Sequence, residues 1–110
     1  MIGQDTPPPS PFGELSGDVL PPIAPGEILA EEFMAPLELS ARGLAAELSV
    51  PPNRISEIIK ARRAITADTA IRLERYFGVS AEFWLTLQMS YELRLARNQD
   101  AIPPIKGIGR

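Results

Sequence analysis

The chain contains no cysteine and no histidine. Without thiols there is no disulfide, no thiolate nucleophile and no cysteine-ligated zinc or iron–sulfur centre. Without imidazole the usual general base, the Ser-His-Asp and Cys-His pairs and the commonest metal ligand are also missing. No apolar run approaches the roughly 18–20 residues that span a bilayer. The opening MIGQDTPPPSP has neither a basic start nor an apolar stretch, so it does not read as a secretion signal. What is present is ordinary for a soluble globular protein: 110 residues, 45% apolar and 23% charged. That is one domain's worth of chain. The inventory points to a small cytoplasmic binder rather than an enzyme, with no cofactor and no metal.

The net charge of −3 conceals a strong asymmetry. Residues 1–39 carry Asp5, Glu14, Asp18, Glu27, Glu31, Glu32 and Glu38 and no base, for −7. Residues 40–63 carry Arg42, Arg54, Lys60, Arg62 and Arg63 against Glu47 and Glu57, for +3, and the remainder carries +1. A basic segment thus follows an acidic first third. It is either a solvated charged face or an anion-binding one, and charge alone does not choose.

Proline marks the ends. Six of the twelve prolines lie within residues 1–22, where few large apolar groups accompany them. Such a stretch buries too little to offset its ordering entropy, so residues 1–22 are expected to form a flexible acidic arm. At the other end QDAIPPIKGIGR cannot continue a helix. The expected folded unit is 23–98, with 99–110 as a tail.

Between these limits the helices announce their own starts. An apolar residue precedes a cap, and a second apolar residue follows at the fourth helical position, the hydrophobic staple. Leu39–Ser40 pairs with Leu44, Val50–Pro51 with Ile55, Val79–Ser80 with Trp84, and more weakly Ile65–Thr66 with Ala70. Ser40, Thr66 and Ser80 are suited to cap, and Pro52 suits a first helical position. Five helices follow, over about 25–35 (opened by Pro25, stopped at Pro36), 41–48, 52–61, 67–77 (ended by Gly78) and 81–97. No segment alternates with period two, so the fold class is all-α. The 3.6-residue stripes predict a core of Leu29, Phe33, Leu44, Ala45, Leu48, Ile55, Ile58, Ile59, Ala70, Leu73, Phe77, Trp84, Leu87 and Tyr91. The single Trp reads as a core anchor.

The second and third helices are joined by Ser49-Val50-Pro51 alone, the spacing of a helix-turn-helix whose second helix enters a major groove. On that helix Ile55, Ile58 and Ile59 point one way. Asn53, Ser56, Glu57 and Lys60 recur at i, i+3, i+4 and i+7 and form one outward stripe. Asn and Ser can read base edges, while Glu57 can accept from a cytosine amino group or orient a neighbouring Arg. Arg62 and Arg63, just past the helix, and Arg42 on the preceding one suit phosphates. The candidate DNA-contacting set is Arg42, Pro52, Asn53, Arg54, Ser56, Glu57, Lys60, Arg62 and Arg63. The competing reading is a helical hairpin whose polar stripe merely faces water. Ser49 occupies the turn position that often takes glycine, where a left-handed backbone costs a residue with a Cβ about 1 kcal/mol.

The string PGEILAEEFMAPLELS, followed by LAAELSVPPNRISEIIKARRAITADTAIRLERYFGVSAEFWLTLQMSYELRLAR, resembles the HigA family of antitoxins, members of the lambda-repressor-like (XRE-type) helix-turn-helix class. The likeness runs over about residues 23–97, and RRAITADTAIRLERYFGVSAEFWL is its most specific part. It implies a five-helix domain, a homodimer, binding to the protein's own double-stranded operator DNA, and neutralisation of a HigB-type toxin that cuts messenger RNA. Three residues depart from the family pattern. Ala24 stands where His usually precedes Pro-Gly-Glu, which removes a cap. Ala41 stands where a phosphate-contacting Gln is common, and Ser49 replaces the turn glycine. The arm 1–22 is an addition the resemblance does not cover.

Helix five is apolar on two sides. Trp84, Leu87, Tyr91 and Leu95 form one stripe, and Leu85, Met89, Leu93 and Ala96 another. A terminal helix of a small domain can bury only one of them in its own core. A two-fold homodimer is therefore expected through Leu85, Met89, Tyr91, Leu93 and Leu95. The alternative is a tail that folds back with Ile102, Ile105 and Ile108. A stand-alone repressor without a toxin shares every DNA-facing residue with the antitoxin. A protein-binding module that no longer touches DNA is a third reading, suggested by Ala41 and Ser49. An enzyme is the last: Glu27, Glu31 and Glu32 share a helix, but with no histidine, no cysteine and no phosphate loop they read better as a solvated face.

Overall fold

The computed structural model describes residues 22–99 and 102–109. The expected arm lies, apart from Pro22, outside the described residues. The described chain is all-helical, with no strand. The helices are α1 (Pro25–Ile28), α2 (Ala41–Leu48), α3 (Pro52–Ile59), α4 (Ala67–Phe77) and α5 (Ala81–Gln99). None is long and apolar enough to cross a membrane.

The first helix differs from expectation. Its path does not stop at Pro36 but passes through three hydrogen-bond registers. After α1 comes a π-helical stretch, Leu29–Met34, and then a 3₁₀ turn, Ala35–Leu37, that contains Pro36. In an α-helix the proline ring would strike the carbonyl four residues back. Widening the preceding turn, so that Ala35 N donates to Ala30 O, removes that conflict without ending the helical path.

The other helices begin and end close to where their punctuation places them. Ser40 Oγ accepts from Gly43 N at 2.9 Å, and Ser80 Oγ from Phe83 N at 3.2 Å. Thr66 occupies the N-cap position of α4, but its hydroxyl makes no capping bond. Gly78 ends α4 at φ 83°, as expected of an αL stop. The C-terminal half of α5 runs to Gln99, two residues past the expected end.

The core is a single cluster. Leu29, Leu44, Ala45, Ile55, Ile58, Ala70, Leu73 and Trp84 are buried essentially completely, joined by Met34, Leu48 and Ile65. Each fully buried Leu or Ile contributes about 1.5–3 kcal/mol. Phe33, Ile59, Phe77 and Leu87 pack against the cluster half-buried. Phe33 links the first helical segment to α4 and α5, with ring centroids 5.2 Å from Phe77 and 4.8 Å from Trp84. Trp84 is the only residue of α5 that is fully buried, which fits a core anchor.

One contact sets the seat of α3. Gly26, buried in the first turn of α1, lies directly on the backbone of α3. A Cβ built there would overlap the Ile58 carbonyl oxygen and lie 2.6 Å from its carbon and 2.8 Å from Ile59 Cα. Only a glycine permits this approach.

Candidate nucleic-acid interface

The connection between α2 and α3 is built from the end of α2. Ser49 adopts φ 60°, ψ 47°, the left-handed conformation its position demands. Ser49 N donates to Ala46 O, and Val50 N to Ala45 O at 3.0 Å, a Schellman closure made without glycine. Arg72 reaches across from α4 and supplies donors for the carbonyls left over. Its Nη1 lies 2.7 Å from Leu48 O and 3.3 Å from Ser49 O. Pro51 then takes the extended N-cap conformation and Pro52 the first helical position.

The far end of α3 closes in the same way. Ala61 is left-handed at φ 62°, Ala61 N donates to Ile58 O, and Arg62 N donates to Glu57 O at 2.8 Å. The carbonyl beneath Gly26 is therefore also the one that terminates α3.

With both ends fixed, α3 presents the expected division. Ile55 and Ile58 are buried, while Asn53 and Lys60 are exposed and Ser56 and Glu57 half-buried on the opposite face. Ser56 Oγ donates to the Asn53 backbone carbonyl at 3.2 Å, and Asn53 itself is exposed.

The basic residues divide into two groups. Arg42, Lys60 and Arg62 are exposed and in no ion pair among the described residues. Arg63 is held by Glu57, with Nε and Nη2 both 2.8 Å from Oε1, so Glu57 orients an arginine as its position allowed. Arg54, counted with the DNA-facing set, instead donates from Nη1 to Asp68 Oδ2 at 3.1 Å. Asp68 also receives Arg72 Nε at 2.9 Å. The Arg72 hydrogen bond is the main influence holding the Asp68 carboxyl below its ordinary value, and the charge of Arg54 adds to it. Pro52 is exposed at the start of the helix.

Four residues that position this surface escaped the sequence reading: Gly26, Asp68, Arg72 and Gln88. The i, i+4 spacing of Asp68 and Arg72 is an ion-pair spacing on a helix. The carbonyls Arg72 also reaches are more than twenty residues away and leave no local trace. Gln88 lies on a half-buried face of α5, where its Oε1 accepts from Ile65 N and its Nε2 donates to Glu92, both at 2.8 Å. It fastens the segment that follows α3 onto α5.

On α5 the two apolar stripes behave differently. Leu87, Tyr91 and Leu95 are half-buried on the side of Trp84. On the other side Leu85 is half-buried, Met89 is 55% exposed and Leu93 43%. Among the described residues the tail isoleucines do not cover them, since Ile102, Ile105 and Ile108 are themselves 62–97% exposed. Glu27, Glu31, Glu32 and Glu38 are all exposed along the first helical segment.

Comparison with known proteins agrees with this geometry. The helix-turn-helix family model matches residues 31–84. The chain is 54% identical over 77 residues to virulence-associated protein I of Dichelobacter nodosus, an alignment covering 70% of this chain and 71% of that protein. Among solved structures it is similar to an addiction module antidote protein of the HigA family from Coxiella burnetii. The TM-score is 0.67 and the identity 42%, over 78% of this chain and all of the other. It is also similar to Pseudomonas aeruginosa antitoxin HigA, solved with the higBA promoter, with TM-score 0.67 and 41% identity over 77% of this chain and 99% of that one.

Proposed function

The chain belongs to the HigA family of helix-turn-helix antitoxins, and from that membership we propose that it represses its own operon by seating α3 in the major groove of operator DNA, while another surface neutralises a HigB-type toxin. The observation that carries the DNA half is the outward face of α3. Asn53 and Lys60 are exposed above buried isoleucines, and Arg42 and Arg62 flank them without ion pairs among the described residues. Asn offers the bidentate donor–acceptor pair that suits adenine, and the unpaired cations suit phosphate. The protein would act in the cytoplasm, where its operator lies. The homodimer would form through the Leu85, Met89 and Leu93 side of α5, with Tyr91 and Leu95 at its margin, and would place two copies of α3 on two half-sites.

Binding to a promoter fragment tests this directly. Asn53→Ala is expected to lose about 1–3 kcal/mol against the base it reads and to relax preference at that position alone. Arg62→Ala is expected to weaken all duplexes alike and to flatten the salt dependence by about 0.9 per subunit. Equal effects of both substitutions on operator and scrambled DNA would show that α3 is not the reading element.

The acidic first helical segment supports a toxin-facing side. Glu27, Glu31, Glu32 and Glu38 are solvent-exposed there, suited to a basic RNA-cutting partner. Co-expression with a HigB-type toxin is expected to yield a complex that survives purification at 0.15 M salt (about 8 Å Debye length). Replacing these four glutamates with glutamine is expected to slow its assembly at least tenfold. A toxin that binds the quadruple variant equally fast places its site elsewhere.

A further inference from the structure

We propose that Asp68 is a positioning residue for DNA reading: it withholds Arg54 from the phosphate backbone and, through Arg72, pins the connection that presents α3. The inference rests on the reading of α3 as a DNA-contacting helix and adds to it a division of labour among the cations.

Arg54 is the third residue of α3, at the end of the helix that lies nearest the bases in helix-turn-helix proteins. A cation in that place would ordinarily count as a phosphate ligand. Here its guanidinium turns to α4 and meets Asp68 at 3.1 Å, with the Arg54 side chain only 29% exposed. The same carboxylate oxygen accepts Arg72 at 2.9 Å. Arg72 in turn spans to Leu48 O and Ser49 O, the last carbonyl of α2 and the first of the connection.

One oxygen of α4 therefore joins the end of α2 to the start of α3. Exposed ion pairs of this kind add little to global stability. Their effect is geometric, because they fix the angle at which a three-residue connection hands the chain from one helix to the next. They also remove one positive charge from the electrostatic, sequence-blind part of binding, so the arrangement favours discrimination over affinity.

The test compares wild type, Arg54→Met, Asp68→Asn and the double variant for binding to operator and scrambled duplexes across salt. Arg54→Met is expected to leave the salt slope unchanged. Asp68→Asn frees Arg54 and loosens the connection. Its slope is expected to steepen by about 0.9 per subunit, a change abolished in the double variant, and the operator-to-scrambled ratio to fall about tenfold. Without DNA, amide exchange of Val50, Arg54 and Ile55 is expected to rise about tenfold in Asp68→Asn while the global unfolding midpoint barely moves. A slope that already flattens by about 0.9 in Arg54→Met would identify Arg54 as a phosphate ligand and overturn the proposal. So would an unchanged discrimination ratio in Asp68→Asn. Absence of operator binding by the wild type would overturn the DNA reading itself, and the exchange measurement then still decides whether Asp68 holds the connection.

Discussion

Gly26→Ala is expected to destabilise the fold by about 3 kcal/mol, the upper part of the range for overpacking, because the atoms it strikes cannot rotate away. The added methyl overlaps the Ile58 carbonyl and stands 2.8 Å from Ile59 Cα, all of it backbone. Relief requires α1 to lift off α3 or α3 to tilt. Either movement disturbs the carbonyl that accepts Ala61 N and so the closure that aims Arg62. The loss should therefore appear twice, in urea unfolding followed through the single buried Trp84 and in weakened operator binding under conditions where the variant remains folded. Gly78→Ala is the control. Gly78 is left-handed at φ 83°, yet nothing lies within 4 Å of a Cβ there. It should cost only the conformational strain, about 1 kcal/mol, and leave DNA binding intact. If the two alanines proved equivalent, crowding against α3 would not be the reason for glycine at 26.

The contrast between these glycines shows where sequence reading ends. Gly78 was legible because it closes a periodic run and supplies a local conformation. Ser49 was legible in the same way, as a residue with a Cβ in a place that favours glycine, and its φ of 60° agrees. The starts of α2 and α5 followed from Ser40 and Ser80 for an equally local reason, since cap and capped N–H are three residues apart. Gly26 serves a contact with residues more than thirty positions away, and a one-dimensional pattern does not encode it. Arg54 marks a similar limit: its type and position suit DNA, while the ion pair it makes is with a residue fourteen positions on, in another helix. The first helix starts where Pro25 places it but runs on past Pro36, because a wider π turn accommodates the proline. Ala61 closes α3 in the left-handed region, although nothing about alanine foretells it. Local chemistry thus delivered the elements and the outward face of α3, whereas the devices that hold that face at its angle arise from contacts between helices.

Met89→Glu combined with Leu93→Glu is expected to convert the proposed homodimer into a monomer and to lower operator affinity by a factor of about 10²–10⁴, the gain that linking two binding modules provides. Leu85, Met89 and Leu93 lie at i, i+4 and i+8 and so share one side of α5. Met89 and Leu93 are 55% and 43% exposed, and Ile102, Ile105 and Ile108 of the tail lie too open to shield them. Neither Met89 nor Leu93 belongs to the core cluster, so a change there should leave the folded protomer intact by circular dichroism. A two-fold axis would bring each glutamate against its copies, and like charges facing one another across an interface cost several kcal/mol. Light scattering at tens of micromolar reads the assembly, and titration of a single half-site separates lost avidity from lost contact. The half-site affinity should be unchanged, since the variant leaves α2 and α3 as they were. A dimer that survives four introduced charges would move the interface off this side of α5. A monomer that still held the full operator as tightly as the wild type would mean that one copy of α3 suffices, and the exposed stripe would then owe its apolar character to a partner other than a second copy of this chain.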